Sequence, residues 1–178
     1  MLKNFIKILS VCLFLITPTL AKNFDQIIIT GNIRISNETI KVFSEIPENK
    51  NVSENSLNLI LKNLYNTGFF KDVSVKIDNN KLLINVVENP IIQTLTVNGI
   101  KTKKLTKKID DVLILKDRSS FNLSKVKKDK ISIINTLKEE GYYFSKVDIS
   151  TKELNDNKID LIYSIELGDK AKISKISF

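Results

Sequence analysis

Histidine and tryptophan are absent from this chain, and cysteine occurs once, at Cys12. Those absences exclude Cys/His metal sites, imidazole-based catalytic triads and disulfide stapling. With five glycines and three prolines, the chain is neither a flexible linker nor a collagen-like fibre. No uninterrupted apolar run reaches the ~18 residues that a membrane-spanning helix wants. An enzyme built from this alphabet would depend on carboxylates alone. Most of the acids, including Asp72, Asp78, Glu88 and the neighbours Glu139 and Glu140, alternate with lysines as they do on solvated faces. No catalytic role, cofactor or metal is expected.

What is present starts with a leader. In "MLKNFIKILSVCLFLITPTLA", Lys3 and Lys7 precede an apolar run from Ile8 to Ile16, and Pro18 leads to the small-residue stop at Ala21. That is the three-part pattern of a secretory signal peptide, with cleavage between Ala21 and Lys22. Cys12 leaves with it. The net charge of +8 falls to +6 once Lys3 and Lys7 are removed. Such a balance suits nucleic acid or an anionic membrane surface. Lysine is abundant in every part of the chain, however, which reads as a compositional bias. An export signal and the lack of an exposed aromatic pair on the strands argue against RNA.

The remainder is a repeat. Gly31 and Gly99, 68 residues apart, end the similar strands in "QIIITGN" and "QTLTVNG". Gly68 and Gly141, 73 apart, each follow a helical stripe and precede an aromatic pair, Phe69-Phe70 or Tyr142-Tyr143. Glu88 and Glu166, 78 apart, close the last strands. The growing offset predicts extra residues in the second copy, placed in the surface hairpin between Ile149 and Ile159. "AKISKISF" (171–178) reads as the opening strand of a third copy, so the chain is expected to be a fragment.

Each copy yields the same series of elements. A strand comes first, then a short helix, which in copy one follows Ser36-Asn37 and runs to Ile46. In the second helix Leu57, Ile60, Leu61, Leu64 and Tyr65 recur at one helical face. Gly68 and Gly141 sit where a left-handed residue ends a helix, and the aromatics after them are expected in the core. Val73, Val75 and Ile77 then alternate with polar residues. Asn79-Asn80 makes the turn, and Leu82, Ile84 and Val86 return. Pro90 restricts the connection between copies. The fold class is therefore α+β: tandem β-α-α-β-β units, each a three-stranded sheet packed under two helices. The expected boundaries are 1–21 for the leader, 22–90 and 91–168 for the two units, and 169–178 for the third.

That order behind a leader resembles the POTRA domain. "LKNLYNTGFFKDV" (61–73) is similar to the family's helix-glycine-aromatic-valine signature, and "VVENPIIQTLTVNG" (86–99) to the junction between consecutive domains. The nearest resemblance is to the BamA family of outer-membrane protein assembly factors, with two-partner secretion and TamA-like transporters as alternatives, or an exported binding module. It implies a location on the periplasmic side of the bacterial outer membrane. The implied partners are unfolded outer-membrane proteins, accessory assembly lipoproteins, and the membrane through a C-terminal β-barrel that these residues do not include. It further implies that clients add a strand to the sheet edge after the second helix. In copy one that edge holds Lys71, Val73, Ser74, Val75, Lys76 and Ile77. In copy two it holds Ser145, Lys146, Val147, Asp148, Ile149 and Ser150. Gly31, Gly68, Pro90, Gly99 and Gly141 are assigned structural roles.

Overall fold

Two sets of helices and strands follow one another along the chain, as the repeat demands. The computed structural model describes residues 22–47 and 51–171. The leader with Ala21, and all but the first residue of the strand expected over 171–178, lie outside the described residues. By contact the chain divides into two units. The first runs up to Asn66 and takes in Val73–Val86; the second takes Thr67–Asp72 and everything from Val87 onward.

In the first unit β1 (Lys22–Asn23) pairs with β3 (Asn51–Val52) in a short ribbon. The main sheet has the order β2 (Gln26–Thr30), β5 (Lys81–Glu88), β4 (Phe70–Asp78). β2 and β5 are parallel, from Gln26 opposite Lys81 to Thr30 opposite Asn85, because two helices intervene between them. These are α1 (Asn37–Ser44) and α2 (Glu54–Asn66). Ser36 caps α1 by accepting the Thr39 N–H at 3.2 Å, and Ser53 does the same for Ser56; both satisfy first-turn donors. α1 is shorter than expected. Glu45 turns left-handed at φ 49°, so the helix stops at Ser44 and Ile46 lies beyond it. β4 and β5 are joined by Asn79 and Asn80, both at positive φ, the mirror-image turn that suits strand twist. Ile40, Ile60, Leu64, Leu82, Ile84 and Val86 form the core under the helices. Tyr65 is exposed rather than part of the buried stripe.

The second unit repeats the plan with β6 (Ile91–Asn98), α3 (Lys103–Val112), α4 (Leu123–Glu139), β7 (Lys146–Leu154) and β8 (Lys158–Glu166), in the sheet order β6-β8-β7. β7 and β8 pair antiparallel along their full length, from Lys146 opposite Glu166 to Leu154 opposite Lys158. Ile92, Ile109, Ile133, Leu137, Leu161 and Tyr163 are fully buried. So is Asp129, at 0% exposure. Its carboxylate accepts the N–H groups of Ile114 (2.7 Å) and Leu115 (3.1 Å) and the Tyr163 hydroxyl (3.3 Å). A buried charge is tolerable because all three donors face it.

Three expectations need correcting. The extra residues of copy two are not concentrated in the hairpin. β4 starts two positions after Gly68, whereas β7 starts five after Gly141, and only one added residue falls in the turn. The aromatic pairs do not both enter the core either: Phe70 is buried, but Phe69 and Tyr143 are exposed. Glu88 is buried, not solvated.

Candidate functional site

A three-stranded sheet has two outer strands, and each displays backbone donors and acceptors on one side. In the second unit those outer strands are β6 and β7, and the chain treats them differently. Beyond α3, the segment from Lys116 to Phe121 returns along β6. Arg118 N–H donates to Ile92 O at 2.7 Å, Ile92 N–H donates to Ser119 O at 2.9 Å, and Phe121 N–H donates to Pro90 O at 2.8 Å. Further along, the Asp117 carboxylate accepts the Leu95 N–H at 2.6 Å. The edge of β6 is thus covered from Pro90 to Leu95 by this unit's own loop. Asp129 fixes where that loop starts, since it holds Ile114 and Leu115 just before it. Nothing equivalent lies along β7: among the described residues, β8 is its one strand partner.

The predicted edge residues fall as follows. Lys146, Asp148 and Ser150 point outward on β7, while Val147 is buried and Ile149 half-buried. Ser145 is not on the strand. It precedes β7 and its hydroxyl donates to Tyr142 O at 3.1 Å, because the longer turn after Gly141 delays strand entry. β7 also continues past Ser150 to Leu154, which lengthens the available edge.

In the first unit, β4 carries Lys71, Ser74 and Lys76 on exposed positions, with Val73 buried and Val75 and Ile77 half-buried. One donor of this outer strand is already engaged: Val73 N–H donates to the Tyr65 hydroxyl of α2 at 3.2 Å. The other outer strand, β2, borders a groove of about 600 Å³ lined by Phe24, Ile27, Val42, Ile46 and Pro47, with Asp25, Gln26 and Lys41 at its polar margin.

A backbone latch recurs in each copy of the repeat. The Asn89 side-chain amide donates to Gly68 O at 3.0 Å, and its N–H donates to Phe69 O at 2.7 Å. In the second copy Ala171 N–H donates to Gly141 O at 2.9 Å, and the Lys170 ammonium sits 5.6 Å from the centre of the Tyr142 ring. Each chain segment leaving the last strand therefore binds back to the glycine that ended the second helix. Lys108 and Glu140 form an ion pair between α3 and the end of α4. Each partner stabilises the other's charge, so the lysine is raised and the carboxyl lowered from their ordinary values. Among the described residues no group of three or more acids is placed to hold a metal.

With this geometry in view, the family model described as "Surface antigen variable number repeat", POTRA, matches residues 23–89 and 90–168. The chain belongs to the POTRA family. A BamA outer-membrane protein assembly factor of Neisseria meningitidis serogroup B is 33% identical over 127 residues, 67% of this chain and 15% of that protein. The assembly factor BamA of Neorickettsia risticii is 22% identical over 166 residues, covering 93% of this chain and 22% of the relative. This POTRA pair therefore spans a small part of the curated relatives it matches. Among solved structures, the N-terminal domain of Omp85 from Thermosynechococcus elongatus shares the fold, with a TM-score of 0.58 at 14% identity, over 84% of this chain and 64% of that one.

Three structural features of the POTRA units escaped the sequence reading: the loop over β6, Asp129 beneath it, and the Tyr65 hydroxyl on β4. Asp129 left a trace. It lies three residues after Val126 and four before Ile133, on the apolar face of α4, where a solvated charge has no place.

Proposed function

We propose that this chain is the periplasmic receiving portion of an outer-membrane protein assembly factor. It is exported by its leader, accepts extended segments of unfolded β-barrel proteins by strand addition at β4 and β7, and docks accessory assembly subunits. The observation that carries the reading is the contrast within the second unit, where β6 is closed by a loop and β7 is left to accept a strand. Main-chain pairing suits clients of many sequences, because it asks only for an extended backbone. The assembly-factor names of the curated relatives support this over two-partner secretion.

The test is amide hydrogen exchange of the full chain with an added peptide of alternating apolar and polar residues. Amides of 146–154 should slow, and those of β6 should not change. Equal protection of both outer strands, or of neither, would end the strand-addition reading.

Tyr65 allows a second check. Tyr65→Phe releases Val73 N–H from its side-chain acceptor, and an incoming strand then has no hydroxyl to displace. A hydrogen bond of net ~1 kcal/mol translates into roughly fivefold tighter peptide binding at the first unit. Calorimetric titration showing no change would mean that strands do not add at Val73.

A further inference from the structure

The lysine bias of this chain is not evenly distributed over its helices. α1 and α2 carry two lysines against two acids, whereas α3 and α4 carry nine lysines against four acids. One of those four, Asp129, is turned wholly inward. A compositional bias acts on both copies alike and cannot produce this difference between them. Among the described residues, no lysine of α4 has an ion-pair partner within 4 Å. The positive charge of α4 is therefore left to be neutralised from outside.

Apolar side chains are set among those lysines. On α4, Leu123, Lys127, Ile131 and Lys138 lie on one flank at i, i+4, i+8 and i+15, away from the buried positions Val126, Ile133 and Leu137. Leu123 is 60% exposed and Ile131 59%. Lys128 stands one position on from Lys127, also exposed.

We propose that the helical face of the second unit lies against an anionic phospholipid surface, with Lys127, Lys128 and Lys138 at headgroup phosphates and Leu123 and Ile131 dipping between them. Charge complementarity selects an anionic occupant, and the exposed aliphatic residues select lipid over an acidic protein, since interleaved basic and apolar positions are the pattern of interfacial helices. No helix among the described residues is long and apolar enough to cross a bilayer, so contact is peripheral. This surface is the helical layer and not a sheet edge, and the inference stands apart from strand addition.

Sedimentation of the full chain with phosphatidylcholine vesicles, with and without phosphatidylglycerol, tests it. Binding should require phosphatidylglycerol and fade in high salt. K127E/K128E/K138E should weaken it roughly a hundredfold, from about fivefold per lysine. Reversing both lysines of α1 and α2, K41E/K62E, should leave it unchanged, and the leader contributes equally to every variant. L123N/I131N, with no change in charge, should weaken binding roughly tenfold. Circular dichroism confirms that each variant is folded. Equal binding of wild type and the triple lysine variant, or equal binding to phosphatidylcholine alone, overturns the proposal. Unchanged binding of L123N/I131N overturns the lipid assignment and leaves an acidic macromolecule as the occupant.

Discussion

Replacing Asp129 with alanine is expected to destabilise the second unit by about 4 kcal/mol, from two buried donors and one part-buried donor at ~1–3 kcal/mol each with partial relaxation. The Leu115 N–H and the Tyr163 hydroxyl would lose their acceptor inside the core, and the Ile114 N–H would lose it at the core's margin. Asp129→Asn keeps one oxygen and should cost about half as much. Tyr163→Phe removes one of the three bonds and should cost about 1 kcal/mol. Urea unfolding reads all three variants, and an unaltered midpoint for Asp129→Ala would show that the carboxylate holds nothing. The same cluster gives an alkaline signature. Burial, followed by the charge of Asp129 and the hydrogen bond to it, raises the Tyr163 hydroxyl well above the ordinary tyrosine value. The unfolded chain then releases this proton first, so stability is intact below pH ~10 and declines as pH rises beyond it. Tyr163→Phe should flatten that decline. Because Asp129 anchors the start of the loop over β6, Asp129→Ala should also speed amide exchange in β6, which links a stability defect to the availability of an edge.

Gly99→Ala is the second large effect. A methyl group there would sit 1.8 Å from Ile165 O and 2.8 Å from Ile165 C, at a φ of +92°. Strand β8 would have to move, and the backbone conformation is itself unfavourable for alanine. The expected cost is at least about 3 kcal/mol. Gly68→Ala should be far milder. Its methyl group would meet Asn122 Nδ2 at 3.6 Å and Lys125 Nζ at 3.8 Å, ordinary contacts, so that the left-handed backbone alone costs about 1 kcal/mol. Thermal unfolding of the two variants side by side checks the ranking. A larger loss for Gly68→Ala would refute the packing argument. The outcome inverts the impression left by the sequence, in which the helix-ending glycine is the more conspicuous of the two.

That inversion illustrates what a single sequence reveals. Local chemistry was legible: Ser36 as a cap, Gly68 and Gly141 as left-handed stops, Asn79-Asn80 as a mirror-image turn, and the alternation that buries Leu82, Ile84 and Val86. Each depends on a few neighbouring residues. The repeat then supplied the order of elements, and the family resemblance supplied which strand lies at the edge. What escaped depends on partners distant in sequence. Asp129 is explained by Leu115 and Tyr163, 14 and 34 positions away. The segment that closes β6 has no periodicity of its own, because its bonds go to Pro90 and Ile92. Tyr65 fits the apolar stripe of α2 by spacing, yet its hydroxyl has a use only once β4 has been laid beside the helix. The distribution of the extra residues in copy two was hidden for a similar reason. Counting between apolar positions assumes a register, and Ile149 in fact pairs with Tyr163.

Closing one side of a sheet also sets its valence. A three-stranded sheet that offered both outer strands could join a neighbour on each side, and such joints propagate into open-ended polymers. The loop from Lys116 to Phe121 makes the second unit monovalent. It can end a ladder of strands, whether the added strand comes from another molecule or from a second copy of itself, but it cannot extend one. In the proposed role of receiving strand-forming chains, the second unit is thereby kept from serving as the seed on which they aggregate.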